Sequence, residues 1–511
     1  MAYIELIQVF NSRVFFSLVT LNFSLSQHFL NTGKTLESDI DKVAAITDNF
    51  HNNKIKLAEY NLQDCKLVWD IFEKINLLDF LLLRSQITGL ELDRAGGSIA
   101  AFVNLYLPRL HRNNYVSPNP DEALIRSSPG GYVMNSKPGF YKNIILLDFK
   151  SLYPSIIRTF KIDPLGLIEG LKSTEEAIAG FRGGYFSRDK HILPHIITKL
   201  WQQREIAKQQ NDKSRSQAIK ILMNSFYGVL GASDCPFFDH RLASSITMMG
   251  HKVMKMTRQW IEADGFDVIY GDTDSIFIKL AEHLDETQVQ EKAHSIVNLI
   301  NHQWSDYISH EYNITNYMEI EFETHFKRFL MPTIRGSSLG TKKRYAGLTS
   351  SLEGEQLVFK GLEFVRSDWT ELAKQFQKEL YTLIFNDHDP SLMILDTVQQ
   401  TLAGQHDHKL IYRKKLRKPL DEYIKNIPPH VKAAKIASMQ NEHQQFNEQY
   451  FGNKDISYFI TIHGPQPEHY LTSAIDYKHY IDKQIKPVAD AILPFVGLSF
   501  DEMIKDQLSL F

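Results

Sequence analysis

Val268-Ile269-Tyr270-Gly271-Asp272-Thr273-Asp274-Ser275-Ile276-Phe277-Ile278 is the stretch on which the fold turns. Apolar, β-branched runs flank its Tyr-Gly-Asp-Thr-Asp-Ser centre, a pattern that predicts two short strands joined by a tight turn. Asp272 and Asp274 then sit at that turn, at the edge of a buried sheet. Two carboxylates so close repel unless a cation lies between them, and a hard divalent ion such as Mg2+ suits their oxygens. Asp and Gly also form turns for purely local reasons, so the surroundings decide.

Upstream, Ile144-Ile145-Leu146-Leu147 reads as a buried strand ending at Asp148, followed by Phe149-Lys150-Ser151-Leu152-Tyr153-Pro154. Pro154 suits the first turn of a helix, with Ser151 or Tyr153 near its N-terminus. Such a terminus is a natural seat for phosphate. Between the two carboxylate segments, Lys199–Gln210 and Gln217–Gly228 read as a helical hairpin around the polar loop 211–216. Arg204 and Lys208 share one face of the first helix; Lys220, Asn224 and Tyr227 share one face of the second. A solvated charged face explains the first pair equally well. The Asn-Ser-Phe-Tyr-Gly run of the second helix suits reception of a flat ring beside a phosphate chain.

The order Asp-Phe-Lys-Ser-Leu-Tyr-Pro-Ser-Ile, Lys-Ile-Leu-Met-Asn-Ser-Phe-Tyr-Gly, Tyr-Gly-Asp-Thr-Asp-Ser and Lys342-Lys343-Arg344-Tyr345-Ala346 resembles the motif series of family B DNA polymerases, and within it a bacterial branch. Ser128-Pro129-Gly130-Gly131-Tyr132-Val133 and Lys360-Gly361-Leu362-Glu363 with Val365-Arg366-Ser367-Asp368-Trp369 add to the resemblance, which runs from about residue 20 to the C-terminus.

The resemblance implies addition of deoxyribonucleotides to a primer 3′-hydroxyl on template DNA, with two Mg2+ ions roughly 3.5–4 Å apart and Mn2+ able to substitute. Asp148, Asp272, Asp274 and the Phe149 carbonyl would hold the ions. Arg204, Lys208 and Lys220 would grip the triphosphate of the dNTP, Lys220 also protonating the leaving pyrophosphate. Ser151, Leu152 and Tyr153 would seat the nucleotide, Tyr153 excluding a 2′-hydroxyl, and Asn224 and Tyr227 would line the base-pair pocket. Gly130, Gly131, Thr273, Lys342, Lys343, Arg344, Tyr345, Lys360 and Arg366 would contact DNA. The cluster Arg413-Lys414-Lys415-Leu416-Arg417-Lys418 would grip duplex phosphates. Glu321 and Glu323 are candidate accessory carboxylates, although exposed strand alternation also accounts for them.

Of the three exonuclease motifs common in this branch, only Tyr60-Asn61-Leu62-Gln63-Asp64 is present, on a helix expected from about Lys54 to Lys74. Asp64 alone cannot build a two-metal site, so proofreading is expected to be absent and Tyr60 and Asp64 to mark an exonuclease remnant that exposes apolar surface. At the other end, Gln507-Leu508-Ser509-Leu510-Phe511 resembles the peptide that docks on the bacterial β sliding clamp, with Leu510 and Phe511 as anchors; the end of an amphipathic helix from Phe500 to Gln507 is the alternative.

The expected fold is α+β and multidomain, in right-hand arrangement: exonuclease remnant 1–80, linker 81–140, palm 141–194 and 232–345 with an antiparallel sheet, fingers 195–231, a mostly helical thumb 346–506 kinked near Pro428-Pro429, and clamp peptide 507–511. The 511 residues, 43% hydrophobic, suffice for several cores, and a net charge of −3 excludes a uniformly basic nucleic-acid binder. Two cysteines, Cys65 and Cys235, make a disulfide framework improbable and fit a reducing cytoplasm. Val14–Phe23 is too short and too interrupted by Ser, Thr and Asn to span a membrane. A monomer is expected. Two other functions compete: a metal-dependent nuclease, which gives no reason for the Lys220/Asn224/Tyr227 face, and a catalytically inert remnant that binds DNA and the clamp.

Overall fold

The computed structural model describes residues 29–30, 42–92, 97–119, 128–334, 337–351, 354–443 and 455–508. Four helices open it: α1 (Lys42–Asn52), α2 (Lys54–Lys74), α3 (Leu77–Thr88) and α4 (Ser98–Arg112). Strand β1 (Gly139–Phe149) leads into α5 (Leu152–Phe160), α6 (Pro164–Gly170), the hairpin α7 (Leu193–Gln209) and α8 (Lys213–Leu230), and α9 (His240–Ala263). Then come β2 (Asp267–Asp272), β3 (Ser275–Lys279), α10 (Glu286–Tyr312), β4 (Ile320–Met331), β5 (Tyr345–Ser351) and β6 (Gly354–Lys360). The last part holds α11 (Glu371–Phe385), α12 (Ser391–Leu402), β7 (Tyr412–Lys415), α13 (Pro429–His443), β8 (Asp455–Thr461), β9 (Gly464–Pro467) and α14 (Phe500–Leu508).

The chain divides into two compact units: Met1–Tyr132, Phe149–Lys255 and Asn301–Glu319 form one, and Val133–Asp148, Met256–Ile300 and Ile320–Phe511 the other. The first is mostly helical, with one small two-stranded sheet of Ile178–Ala179 and Tyr185–Phe186. Asp163 caps α6 by accepting from the Gly166 amide at 2.8 Å, and Pro164 opens the helix where its missing N–H costs nothing. The same buried carboxylate accepts from the Leu193 amide at 2.7 Å, at the start of α7, and from the Tyr106 hydroxyl of α4 at 3.1 Å. One side chain thus ties three helices. Asp212 caps α8 through the Arg215 amide at 2.9 Å. Ile71, Ile75, Leu77 and Phe80 of the N-terminal helices form one core with Ala218 of α8, and Ile221 packs against it.

In the second unit a six-stranded sheet runs in the order β2-β3-β1-β4-β5-β6. β1 is central, so Ile144, Ile145, Leu146 and Leu147 are all buried, as a strand covered on both faces requires. It pairs antiparallel with β3 in a register that sets Leu147 opposite Ile276 and Asp148 opposite Ser275. A second, three-stranded sheet, β9-β8-β7, lies later in the chain.

Several expected boundaries shift. The limit between palm and thumb at 345/346 falls inside β5, and Leu330, Ala346, Leu348 and Phe359 of the sheet share one core with Leu372, Phe376, Leu380 and Tyr381 on the far side of that limit. The limit at 80 falls inside α3. The segment expected to be mostly helical carries the β7–β9 sheet as well, and Pro429 starts α13, where proline is tolerated, instead of kinking it. The N-terminal helices bury part of their apolar surface on α8, while Ile55, Leu62 and Trp69 of α2 stay exposed.

Candidate active site

The carboxylate cluster is built by strand register. β2 and β3 pair so that Asp272 lies opposite Ser275, leaving Thr273 and Asp274 as the two turn residues. Thr273 has φ +60°, a left-handed value that a β-branched residue rarely takes and that marks stored strain. Ser275 donates its hydroxyl to Asp148 Oδ2 at 2.7 Å. Burial, then the neighbouring Asp274 charge, and further off Glu323 and Glu321, push the Asp148 carboxyl up to about 7, against the pull of the Ser275 hydrogen bond. A cavity of about 580 Å³ reaches Asp148, Ser275 and Glu323 together with His325, Tyr345 and Lys360.

Asp272 is turned to a different partner. Its Oδ1 accepts from Lys343 Nζ at 2.9 Å and from the Thr273 hydroxyl at 3.0 Å. Lys343 also has φ +60°, and its amide donates to the Tyr270 hydroxyl at 2.8 Å; burial pushes that phenol up to about 12. Gly361 supports the loop: a Cβ there would collide with the Lys343 carbonyl oxygen, and φ at Gly361 is itself +60°. Among the described residues no three His, Cys, Asp or Glu side chains are grouped so as to hold a metal ion. Of the three expected carboxylates, Asp274 lies near enough to Asp148 for its charge to raise that carboxyl, whereas Asp272 is held by the Lys343 ammonium. The chemistry of the donors, carboxylate oxygens of Asp148, Asp272 and Asp274, suits a hard divalent cation, and burial together with the Asp274 charge, which raise Asp148, is what such a cation would offset.

The expected nucleotide-facing residues lie in the other unit. Ser151 precedes α5 with φ +46°, and its side chain does not cap the helix. Leu152 is buried. The Tyr153 ring stands 4.6 Å from the Tyr227 ring of α8, and a Cβ on Gly250 of α9 would lie 3.2 Å from it. Lys220 and Asn224 are exposed on the same face of α8 as half-buried Tyr227. Arg204 is half-buried on α7, whereas Lys208 is exposed and ion-paired to Glu205 at 2.8 Å.

Among the expected DNA-contacting groups, Gly130 and Gly131 are exposed and the Gly130 carbonyl accepts from His251 Nε2 at 2.8 Å. Lys342, Arg344, Arg366 and Trp369 line a cleft of about 600 Å³. Arg344 is ion-paired to Glu363, which is only 1% exposed and also accepts from Gln377 at 3.0 Å; Arg366 pairs with Asp368 at 2.7 Å. Tyr345 packs edge-on to Phe277 in the sheet core, and Lys360 ends β6. Arg413, Lys414 and Lys415 are exposed on β7. Tyr60 and Asp64 share a face of α2, and the Tyr60 phenol is raised by burial and by Asp64. Gln507 and Leu508 belong to the backbone of α14; Leu510 and Phe511, like Val14–Phe23, lie outside the described residues.

Sequence reasoning passed over Ser275, Glu363 and Gly250. A glycine inside a long helix costs about 1 kcal/mol against alanine, so Gly250 itself signalled close packing. The partnership of Glu363 with Arg344 left no local signal.

The model of DNA polymerase family B matches residues 95–494. DNA polymerase II of Escherichia coli is 48% identical over 490 residues, covering 96% of this chain and 62% of that protein. A DNA polymerase of Thermococcus gorgonarius is 30% identical over 405 residues, covering 74% of this chain and 49% of that one. Among solved structures, the family B DNA polymerase of Pyrobaculum calidifontis superposes with a TM-score of 0.61 at 25% identity, over 90% of this chain and 59% of that one. The chain therefore spans about half to under two thirds of the length of these relatives.

Proposed function

The chain belongs to DNA polymerase family B, and from that premise we propose that it is a DNA-directed DNA polymerase extending a primer 3′-hydroxyl with dNTPs on template DNA. The observation that carries this reading is the strand register that sets half-buried Asp148 opposite Ser275, next to the turn carrying Asp272 and Asp274, where burial and the Asp274 charge push its carboxyl up to about 7: a site whose negative charge a divalent cation would neutralise. Asp148, Asp274, Asp272 and the Phe149 carbonyl are the groups that would hold Mg2+, which, once bound as two ions, would acidify the primer hydroxyl and neutralise charge on the triphosphate.

The chain's own residues do the rest. Ser275 orients Asp148 by hydrogen bond. Lys343 holds Asp272 until a cation replaces it. Arg204, Lys208 and Lys220 bind the triphosphate, Arg as a planar fork and Lys as point charges, and Lys220 donates a proton to departing pyrophosphate. Tyr153, supported by Gly250 and Tyr227, presents a flat wall to the incoming sugar and favours deoxyribose. Asn224 and Tyr227 border the new base pair.

Tyr60 and Asp64 supply a single carboxylate, so synthesis by this chain proceeds without proofreading from its own residues. The enzyme acts as a monomer in DNA repair or replication restart and docks on the β sliding clamp through residues 507–511. Free Cys65 and Cys235 suit the cytoplasm, and no helix among the described residues is long and apolar enough to cross a membrane.

The test is extension of a labelled primer–template with Mg2+ and dNTPs by the wild type and Asp272→Asn, on matched and mismatched ends. Metal-dependent extension lost in the variant, with no shortening of the mismatched primer, is expected. A folded wild type that binds DNA but never extends it would instead be an inert binding protein, and one that only shortens the primer a nuclease.

A further inference from the structure

Arg158 stands in the last turn of α5, about 140° round the helix from Tyr153. It is only 8% exposed, yet among the described residues no carboxylate pairs with it. Its Nε donates to the Thr198 hydroxyl of α7 at 3.2 Å. Two aromatic rings supply the rest of its surroundings: the guanidinium carbon lies 4.2 Å from the centre of the Tyr317 ring and 5.0 Å from that of Trp201. Rings stack on the faces of a guanidinium and leave free the edge that carries its hydrogens. At that edge the Nη groups meet no acceptor among the described residues.

A second cation joins the first. Lys161 caps the end of α5 with φ +54°, and its Nζ stands 5.3 Å from the same Tyr317 ring. Burial, then the Arg158 charge, lowers the Lys161 ammonium; burial lowers the Arg158 guanidinium against a smaller pull from the Tyr317 phenol. No carboxylate opposes either fall. The neighbouring acids are engaged elsewhere. Glu319 pairs with Lys150 at 2.7 Å, Asp163 is committed to Gly166, Leu193 and Tyr106, and Asp189 acts on His191. A strut between α5 and α7 would account for a buried guanidinium held by rings. It gives no reason for a half-buried lysine set beside it, because like charges repel unless an anion lies between them.

We propose that Arg158 and Lys161 form a binding site for a phosphate dianion, the guanidinium edge taking two of its oxygens as a fork and the ammonium a third. Two positive charges match the charge of a phosphate group and its three strong acceptor oxygens. A carboxylate, with one charge and two oxygens, would leave the ammonium unmatched. The site uses none of the residues assigned to the triphosphate and stands independently of the polymerase reading. Inorganic phosphate and the 5′-phosphate of a nucleotide present this same chemistry.

The test is calorimetric titration of the full chain, free of metal and DNA, with inorganic phosphate and with dAMP at constant ionic strength. Wild type is expected to bind phosphate saturably. Lys161→Met is expected to raise Kd by about 3- to 10-fold. Arg158→Lys, which keeps the charge and loses the fork, is expected to raise it by about 10-fold or more. A Lys161-dependent dAMP affinity above that for inorganic phosphate supports the site and makes a nucleotide its source; equal affinities support it with free phosphate as the source. No saturable binding by folded wild type, or an unchanged phosphate Kd in Lys161→Met, overturns the proposal. Should Arg158→Lys not fold, Lys161→Met at the half-buried helix end still decides. A guanidinium that is only a strut would lower the melting temperature of Arg158→Lys equally with and without phosphate, and that result overturns the site as well.

Discussion

Lys343 Nζ lies 2.9 Å from Asp272 Oδ1, so the turn that carries the paired carboxylates is already half neutralised by a side chain far downstream in the sequence. Lys343 is 61% exposed and Asp272 24%, so the pair is worth at most about 1 kcal/mol. It nevertheless competes directly with any cation for the same oxygen. Lys343→Met is expected to lower the Mg2+ concentration for half-maximal extension by about 2- to 5-fold, measured by Mg2+ titration at saturating DNA. An unchanged midpoint would mean that the ammonium leaves Asp272 before metal arrives.

Asp163 offers a pH signature away from the carboxylates proposed to hold metal. It is fully buried, and desolvation pushes its carboxyl up to about 6 despite hydrogen bonds from Leu193, Gly166 and Tyr106 that pull it down. A carboxyl raised on folding contributes stability that is present below its unfolded value near 3.9 and is lost as pH rises through about 6. The stability advantage of wild type over Asp163→Asn is therefore expected to shrink by roughly 1–3 kcal/mol between pH 4.5 and pH 8. Urea unfolding of both proteins across that range measures it, and a pH-independent difference would contradict the assignment.

Glu363 is almost wholly buried beneath Arg344 and Gln377. Removing its charge leaves the guanidinium without its counter-ion at the wall of the 600 Å³ cleft. Glu363→Gln is expected to cost about 2–4 kcal/mol of stability and to weaken primer–template binding, because Arg344 loses its fixed stance. Denaturant unfolding and anisotropy report the two effects separately, and loss of stability with unaltered DNA affinity would confine the pair to a structural role.

The exposed Arg413-Lys414-Lys415 edge of β7 is expected to act through phosphates alone. Replacing all three by Ala should weaken DNA binding regardless of sequence. It should reduce the slope of log affinity against log salt by about 2–3, close to 0.9 for each phosphate that is no longer neutralised. A salt titration with an unchanged slope would remove this strand from the DNA path.

What was legible in the sequence was local. The β2–β3 hairpin, the buried run 144–147 and the α7–α8 hairpin each write their period into adjacent residues, and α2 begins and ends at the expected Lys54 and Lys74. Helix α7 starts at Leu193, well before the expected Lys199, because its first turns are buried and lack an amphipathic stripe. The β7 strand was hidden because a basic run alternates no apolar face. The pairs Asp272–Lys343, Arg344–Glu363 and His251–Gly130 bring together residues that are distant in the chain or on separate elements. No periodicity reports such partners; strand register and helix packing create them.

The shared core of Ile71, Ile75, Leu77 and Phe80 with Ala218 bears on where this protein can be cut. The segment matching the family model begins at residue 95, which makes that position a tempting start for a minimal catalytic fragment. Such a fragment would strip the apolar cover from α8, the helix that presents Lys220, Asn224 and Tyr227. Ala218 and Ile221 would then meet water, and the helix proposed to face the nucleotide would become the sticky surface by which molecules aggregate. Helices α2 and α3 serve here as the splint of α8.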